Sequence, residues 1–254
     1  MMPEFGADGQ ERLLAGRVLL VGVGGLGSPV VLYLAAAGVG TIGIVDADNV
    51  DLTNLQRQVI HTTPELGMPK VGSAAAKMRA INPDVQVREY RDRLTAANAL
   101  AILKDYDFII DGTDNFASKF LLADACHFAR KPYCHAGILR FEGQLMTVLP
   151  GQTACYRCVF EAPPAPGTVP LCAQTGVFGV AAGTIGILEA TEALKFLLGR
   201  GRLLTDALLV YNALDATFRK IALKRNPACP LCGANPTIKA PGESKRDQGH
   251  TDNP

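Results

Sequence analysis

The sequence lacks a dominant charge of either sign. Its 25 Lys and Arg residues are balanced by 24 Asp and Glu residues, which leaves a formal net charge of +1. No basic surface for the phosphates of nucleic acid is therefore indicated. The longest apolar stretches are interrupted by Gly, Thr or charged residues and are too short for a membrane span. We expect neither a nucleic acid nor a membrane as a partner.

A secretory leader is also missing from the start of the sequence. Residues 1–14, MMPEFGADGQERLL, contain no positive segment followed by an apolar one. Seven cysteines are an odd number, and four of them stand in two C-x-x-C pairs. Without a secretory signal, this arrangement favours metal binding over disulfides and predicts a cytoplasmic protein in a reducing compartment.

A glycine cluster follows the first apolar run, which spans residues 17–21. After a helical, alanine-rich stretch, a second apolar run at 41–45 ends in Asp46. Such a strand–loop–helix–strand unit is typical of a nucleotide-binding half-sheet, in which glycines admit a phosphate, the helix N-terminus attracts it and the acid binds ribose hydroxyls. A tight turn followed by a capping aspartate is the alternative. The candidate glycines are Gly22, Gly24, Gly25 and Gly27.

The chain has 254 residues, of which 48% are hydrophobic, so it can bury one sizeable core. The alternation of predicted strands and helices indicates an α/β fold. We expect a Rossmann-like, mostly parallel sheet with helices on both faces, extended by antiparallel strands. The predicted helices span 8–14, 26–38, 70–82, 95–104, 116–129 and 174–199. The predicted strands span 17–21, 41–45, 84–90, 107–111, 133–138, 141–149, 207–213 and 216–224.

Three polar segments distinguish this chain from a dehydrogenase. They are residues 48–58, the pair Pro69-Lys70, and residues 111–115, DGTDN. Hydride transfer needs none of them. Chemistry on ATP can use all of them, because cations neutralise a triphosphate and a carboxylate holds Mg²⁺.

The two C-x-x-C pairs predict a tetrahedral Zn²⁺ site with four thiolate ligands. Four thiolates leave no open position on the metal, so the zinc would be structural. The alternatives are a redox C-x-x-C or four ordinary thiols. The candidate ligands are Cys155, Cys158, Cys229 and Cys232.

Five features follow one another along the chain: the glycine loop, NLQRQ at 54–58, Pro69-Lys70, TDN at 113–115 and the two cysteine pairs. With these features in this order, the chain resembles the MoeB/ThiF family over about residues 4–233. Members are ubiquitin-activating-enzyme-like adenylyltransferases for sulfur carrier proteins. The resemblance implies Mg²⁺ and ATP binding, and a small β-grasp carrier protein (MoaD/ThiS type) that ends in Gly-Gly. The carrier's C-terminal glycine becomes an acyl-adenylate and then a thiocarboxylate, in molybdopterin, thiamine or a related biosynthesis.

The resemblance also implies roles for single residues. Asp46 would hold the ribose, Lys70 would neutralise the triphosphate, and Asp114 would hold Mg²⁺ with Asn115 beside it. The nucleotide would be lined by Gly25, Thr53, Asn54, Leu55, Gln56 and Arg57. The alternatives are a solvated loop arginine for Arg57, a first-turn helix lysine for Lys70 and a helix cap for Asp114.

The remaining cysteines divide into one candidate and a buried group. Cys172 precedes the predicted helix 174–199, whose N-terminus would favour a thiolate. It matches the family cysteine that can take the activated carrier as a thioester or acyl-disulfide, and a small buried residue is the alternative. We expect Cys126, Cys134 and the neighbouring His135 to lie in the core.

The family's usual N-terminal arm, R-[YF]-S-R-Q, is not seen before the segment PEFG at 3–6. Either the true start lies upstream, or the protein lacks the arginine that reaches the neighbouring subunit of a homodimer. No rhodanese-like segment follows the second cysteine pair, so we expect a separate sulfur donor protein.

We predict a single adenylyltransferase domain at 1–239. Its nucleotide-binding part spans about 12–150, its zinc-stapled carrier-binding part spans about 151–239, and a disordered tail follows at 240–254. Two other hypotheses stay open. One is an NAD-dependent oxidoreductase on the same Rossmann half, and the other is a catalytically impaired, zinc-stabilised binding module.

Overall fold

The computed structural model describes residues 5–165, 168 and 176–243. Eight strands of this part of the chain form one sheet: β1 (Arg17–Val21), β2 (Thr41–Val45), β3 (Gln86–Tyr90), β4 (Phe108–Asp111), β5 (Tyr133–Leu139), β6 (Glu142–Val148), β7 (Ala207–Asn212) and β8 (Thr217–Ala222). Their order is β3-β2-β1-β4-β5-β6-β7-β8. The first five strands in this order pair in parallel, and β6, β7 and β8 pair antiparallel. The predicted Rossmann-like sheet with an antiparallel extension is confirmed.

Within residues 5–165, 168 and 176–243, seven α-helices accompany the sheet: α1 (Gly6–Ala15), α2 (Gly27–Ala37), α3 (Lys70–Ile81), α4 (Ala99–Leu103), α5 (Phe116–Phe128), α6 (Tyr156–Val159) and α7 (Gly179–Leu198). Alternate side chains of β1 enter two separate cores, because successive residues of a strand point to opposite faces. Val18 and Leu20 pack with α2, α3 and α7. Leu19 and Val21 pack with α4, α5 and α6. The predicted helices on both faces are therefore confirmed.

The strand order reverses beside β1. The chain runs from β1 outward to β2 and β3, then returns to place β4 on the other side of β1. In open parallel sheets, ligands bind in the crevice at the carboxyl ends of the two strands that flank such a reversal. The glycine loop follows β1 and the DGTDN segment follows β4, so the topology brings both segments to this crevice.

The structure corrects several predicted boundaries. Helix α7 begins at Gly179 rather than at residue 174, because Val177 forms a bridge with Arg140 and the Phe178 ring packs 5.6 Å from that of Phe141. Helix α4 is shorter than predicted, since the segment before it is a turn in which the Asn98 side chain accepts from the Thr95 amide. The helical turn α6 within the first cysteine pair was not predicted.

The predicted tail, 240–254, begins inside the described chain. Glu243 there accepts a hydrogen bond from the Lys239 amide at 2.7 Å, and residues 244–254 lie outside the described residues. Parts of the proline-rich segment 161–170 also lie outside them. Within the described ranges, no helix is long and apolar enough to cross a membrane.

Candidate nucleotide site and cysteine cluster

A cavity of about 970 Å³ lies at the carboxyl ends of the parallel strands. Its volume is within the range of small-molecule and cofactor sites. Residues far apart in the sequence share its wall, and both cations and carboxylates are among them. The predicted site residues on this wall are Gly22, Gly24, Gly25, Asp46, Arg57, Lys70, Asp114 and Asn115.

The glycine loop is packed too tightly to accept side chains at two positions. Gly22 has a φ of +94°, and a Cβ there would lie 2.6 Å from the carbonyl oxygen of Gly112. At Gly27 a Cβ would lie 2.2 Å from the Gly22 carbonyl oxygen, so this glycine lets α2 approach the loop rather than lining the cavity. Asp46 fixes the same loop by accepting from the Val23 amide at 2.8 Å.

The segment after Asp46 presents Arg57 to the cavity. The Asp51 carboxylate accepts from the Thr53 amide and begins a turn of 3₁₀ helix. Arg57 then donates from Nη2 to Asn54 Oδ1 at 2.6 Å and from Nη1 to the Thr53 carbonyl at 3.3 Å. Arg57 lies on the cavity wall, whereas the other predicted members of this segment are not among the described residues that line it: Thr53, Asn54, Leu55 and Gln56.

Lys70 is 5% exposed and is the first residue of α3. Its ammonium lies 3.3 Å from the Asp48 carboxylate, which is itself largely exposed. A lysine in the first turn of a helix is unfavourable for the helix dipole, and burying it adds a desolvation cost. A lysine held in this way on a cavity wall fits an anion-binding role better than that of an ordinary surface residue.

Asp114 and Asn115 divide two tasks between them. Asn115 Oδ1 accepts from the Ser118 amide at 2.9 Å and caps α5. The helix-cap alternative for Asp114 is therefore wrong, because its neighbour is the cap. Asp114 is exposed on the cavity wall, where its Oδ1 accepts from the Asn115 side-chain amide at 3.4 Å. Such a carboxylate is available to a cation.

Gln58 and Lys119 are two buried polar residues of the wall that the sequence analysis did not single out as site residues. Gln58 is 5% exposed, and its Oε1 has no partner in the described chain. Because a buried polar atom normally has a hydrogen-bond partner, this acceptor fits a donor on a bound ligand. The NLQRQ motif ends at Gln58 and could have suggested it. Lys119 is also buried on the wall, and the sequence offered no comparable signal for it.

Under the cavity, Asp111 is surrounded by donors. Its Oδ2 accepts from His135 Nδ1 at 2.8 Å and from Lys119 Nζ at 3.2 Å, and its Oδ1 accepts from the amide and hydroxyl of Thr113. Burial raises the pKa of Asp111, but Lys119, His135 and Thr113 together lower it to about 2. Burial lowers the pKa of His135, so we assign a neutral imidazole with its proton on Nδ1.

The four predicted metal-ligating cysteines converge. Their sulfur atoms all lie within 4.8 Å of one another. Three of the separations are 3.4, 3.6 and 3.7 Å, which is close to the roughly 3.8 Å expected between thiolates on one tetrahedral zinc ion. The backbone amide of Asn226 donates a hydrogen bond to Cys158 Sγ at 3.4 Å. This donor set can bind zinc, and it leaves no position open for substrate.

A buried ion pair connects this cluster to α5. Arg157, inside the first C-x-x-C, donates to both carboxylate oxygens of Asp124, at 2.6 and 2.9 Å. Elsewhere, Cys126, Cys134 and His135 are buried, as predicted for core residues. Burial raises the pKa of both thiols. Cys172 lies outside the described residues.

Known proteins resemble this chain both in sequence and in fold. Residues 1–231 match the ThiF family. The chain is 48% identical over 242 residues to the sulfur carrier protein adenylyltransferase of Thermus thermophilus, covering 93% of this chain and 89% of that protein. It is 48% identical over 233 residues to the SAMP-activating enzyme E1 of Haloferax volcanii, covering 92% and 86%.

A longer relative, adenylyltransferase and sulfurtransferase MOCS3 of Sus scrofa, is 46% identical over 239 residues, which cover 94% of this chain and 52% of that protein. A crystal structure of E. coli MccB with ATP has a TM-score of 0.76 and 22% identity, covering 88% of this chain and 69% of that one. This likeness shows the fold alone.

The relatives favour the adenylyltransferase prediction over the oxidoreductase alternative, because both bacterial and animal relatives carry the former activity in their names. The predicted nucleotidyltransferase activity is confirmed at this level. From its match over residues 1–231 and from these relatives, the chain belongs to the ThiF family.

Proposed function

We propose that this chain uses ATP to adenylate the C-terminal glycine of a small β-grasp sulfur carrier protein that ends in Gly-Gly. A carboxylate oxygen of the carrier attacks the α-phosphorus of ATP, the bond to the bridging oxygen of the β-phosphate breaks, and pyrophosphate leaves. The product is a carrier acyl-adenylate. Its AMP is a good leaving group, whereas the original carboxylate would have to expel oxide, so sulfur can then be introduced as a thiocarboxylate.

The observation that carries this proposal is the shared wall of one cavity. The glycine loop, Arg57, Lys70 and Asp114 all contribute to it. Two cations offset the repulsion between the carrier carboxylate and the triphosphate, and they can stabilise the charge that builds at the α-phosphate. Asn54 restrains the Arg57 guanidinium, and burial restrains Lys70, so both cations are held in place before substrate binds.

Asp114, with Asn115 beside it, would hold Mg²⁺, which when bound would neutralise phosphate charge. The available carboxylate of Asp114 fits a hard cation. Asp46 would accept hydrogen bonds from the ribose while it continues to hold the Val23 amide, because each carboxylate oxygen can accept more than one donor. Gln58 Oε1 offers a further acceptor to the nucleotide.

The rest of the wall suits a polypeptide tail without side chains. It includes Glu142 and Gln144 of β6, and it also includes small or apolar residues of β5, β6, β7 and the segment after α6: Gly137, Ile138, Gly143, Phe160 and Val210. An extended Gly-Gly segment could enter beside the triphosphate on this side. We therefore divide the domain at about residue 150 into a nucleotide-binding part and a carrier-binding part, with structural zinc on the four cysteines of the latter.

The remaining expectations rest on the family resemblance and the cysteine pattern. We propose a cytoplasmic homodimer that receives sulfur from a separate donor protein. The carrier can belong to molybdopterin, thiamine or related biosynthesis. Incubation with each candidate carrier and ATP, followed by mass spectrometry of the carrier, identifies the one that gains an adenylyl group.

The test of the proposed site is ATP–pyrophosphate exchange in the presence of the carrier. We expect Asp114→Ala and Arg57→Ala to lower exchange by at least about 100-fold, since each removes charge stabilisation that the transition state needs. Circular dichroism and thermal melting should show a folded protein in both cases.

Matched controls are available on the surface. Asp84→Ala and Arg79→Ala remove the same chemical groups from exposed positions outside the cavity wall. Their exchange should stay within about twofold of the wild type, as is usual for surface changes. Undiminished exchange in both site variants would refute the assignment of Arg57 and Asp114.

A further inference from the structure

The DGTDN turn and the glycine loop touch through their backbones. A Cβ on Gly112 would lie 2.4 Å from the Gly22 carbonyl oxygen, and a Cβ on Gly22 would lie 2.6 Å from that of Gly112. Two loops in such close contact cannot move independently. Any group that fixes the Gly112–Asp114 turn therefore also fixes the position of Asp114 relative to the glycine loop.

The side chain of Asp111 holds that turn through hydrogen bonds. Asp111 accepts from the Thr113 amide at 3.1 Å and from its hydroxyl at 2.6 Å, one residue before Asp114. The other carboxylate oxygen faces a different strand and a different helix, where it accepts from His135 of β5 and Lys119 of α5. All four principal acceptor directions of Asp111 are thus in use.

Lys119 extends the same network across the sheet. Besides pairing with Asp111, its ammonium donates to the Ala136 carbonyl at 2.5 Å. Its side chain is 8% exposed, and that of Asp111 is 2% exposed. Charged side chains with so little exposure are costly unless their geometry is complete, so this arrangement stabilises one conformation of the turn strongly.

We propose that His135 and Lys119, acting through Asp111, are positioning residues that hold Asp114 in place for Mg²⁺ and ATP. This inference rests on the role of Asp114 in the proposed function and assigns two residues of a different strand and helix to the same task. His135 supplies a neutral N–H donor, and Lys119 supplies the compensating charge. Neither residue needs to touch the substrate.

The test measures the gain in ATP affinity that Mg²⁺ confers, by titration calorimetry with and without the metal. His135→Leu removes the donor, and we expect it to reduce this gain by about 10- to 100-fold, the usual effect of losing a partner behind a metal ligand. His135→Asn keeps an amide N–H near the position of Nδ1 and should restore the gain to within about threefold of the wild type, within the same scale. ATP affinity without Mg²⁺ should be the same in all three proteins.

Glu192→Gln is the control that tests whether changing any buried polar group alters the Mg²⁺-dependent gain in ATP affinity. Glu192 is 4% exposed and accepts from Thr147 and the Leu204 amide, outside the cavity wall. It should leave the Mg²⁺-dependent gain unchanged.

Two results overturn the positioning role. One is a wild-type gain in His135→Leu, and the other is an equal loss in His135→Leu and His135→Asn, which would indicate volume rather than the N–H donor. Pyrophosphate exchange on the same samples separates the two proposals. Mg²⁺-dependent ATP binding without exchange would refute the adenylyl transfer alone, and its absence from the wild type would overturn both.

Discussion

The two ends of the sheet are stabilised in different ways. Inside the parallel half, every residue of β2 is buried, as are four of the five residues of β1, although the edge strand β3 contains no buried residue. At the opposite edge, all six residues of β8 are exposed. Burial of apolar side chains on both faces therefore stabilises the parallel end, as is usual for parallel strands covered by helices. The antiparallel end cannot depend on the same source.

The zinc proposed on the four cysteines would stabilise the antiparallel end instead. They join residues 155–158, which follow β6, to residues 229–232, which follow β8. Cys155, Cys229 and Leu231 also belong to the core that lies against α5. The comparison teaches that the candidate site is built on the half of the sheet with the buried apolar strands, while the opposite end would depend on the proposed zinc cross-link.

The largest expected effect comes from removing that cross-link. Zinc on four thiolates contributes about 10–16 kcal/mol of apparent binding free energy in isolated zinc-finger peptides, and here it joins distant segments. The double variant Cys229→Ser, Cys232→Ser should lose zinc. Hydrogen exchange measured by mass spectrometry should show lost protection in β7 and β8, with retained protection in β1 and β2.

Cys126→Ala is the matched control, because it changes a buried cysteine outside the cluster. It should keep about one zinc per chain by metal analysis, the stoichiometry of a single closed four-thiolate site. Equal loss of protection at both ends of the sheet in the double variant would show that the two ends are not separately stabilised. Unchanged protection in β7 and β8 would show that the cysteines are ordinary thiols.

The next largest effect concerns the connection between the two ends. Arg157 and Asp124 are 4% and 0% exposed, and their bidentate pair joins the first cysteine pair to α5. Arg157→Met leaves a buried carboxylate without its partner and should lower the free energy of unfolding by about 3–5 kcal/mol. Denaturant unfolding measures this loss.

The double variant Asp124→Leu, Arg157→Met should recover most of that stability, because replacing a whole buried pair by apolar residues is often neutral. Zinc content should be the same in all of these proteins. A loss below about 1 kcal/mol in Arg157→Met, the level of a surface ion pair, would show that the pair is not a structural connection.

Local patterns were enough to predict most of the fold. The apolar runs at β1, β2 and β4, each bounded by glycine or aspartate, give strands within one residue of the predicted limits. The start of α7 was wrong because Val177 and Phe178 have a helical composition but are held extended by partners in the segment at 140–141. A contact between segments that are distant in the sequence overrode the local preference.

Local sequence patterns were also insufficient to predict all contacts in the candidate site. The cavity wall includes Arg57 and Lys70, which lie between β2 and β3, and Asp114, which follows β4. Asp111 and His135 could not be paired from the sequence, since they lie 24 residues apart and meet only through the parallel pairing of β4 with β5. Side-chain contacts across strands depend on register, which no single motif contains.

The smallest effect concerns Glu189, on the helix that covers β4, β5 and β6, where the two ends of the sheet meet. It is fully buried, and neither carboxylate oxygen has a hydrogen-bond partner in the described chain. Burial raises its pKa well above 4.5, the nearby Asp111 raises it further, and Lys119 opposes the shift. The folded protein therefore holds a proton on Glu189 that the unfolded chain releases above its ordinary pKa.

Stability should consequently fall as pH rises from the ordinary pKa of glutamate towards the raised one, by up to about 1.4 kcal/mol per pH unit. Glu189→Gln carries no charge at any pH and should escape this loss. Its advantage over the wild type in denaturant unfolding should be small near pH 4.5 and should grow as the pH rises above that value. Glu192→Gln can keep the hydrogen bonds from Thr147 and the Leu204 amide on its amide oxygen but loses the ion pair with Lys195, so it should be less stable than the wild type. A pH-independent difference between Glu189→Gln and the wild type would mean that Glu189 is not protonated in the folded core, and that the junction between the two ends accommodates a charge.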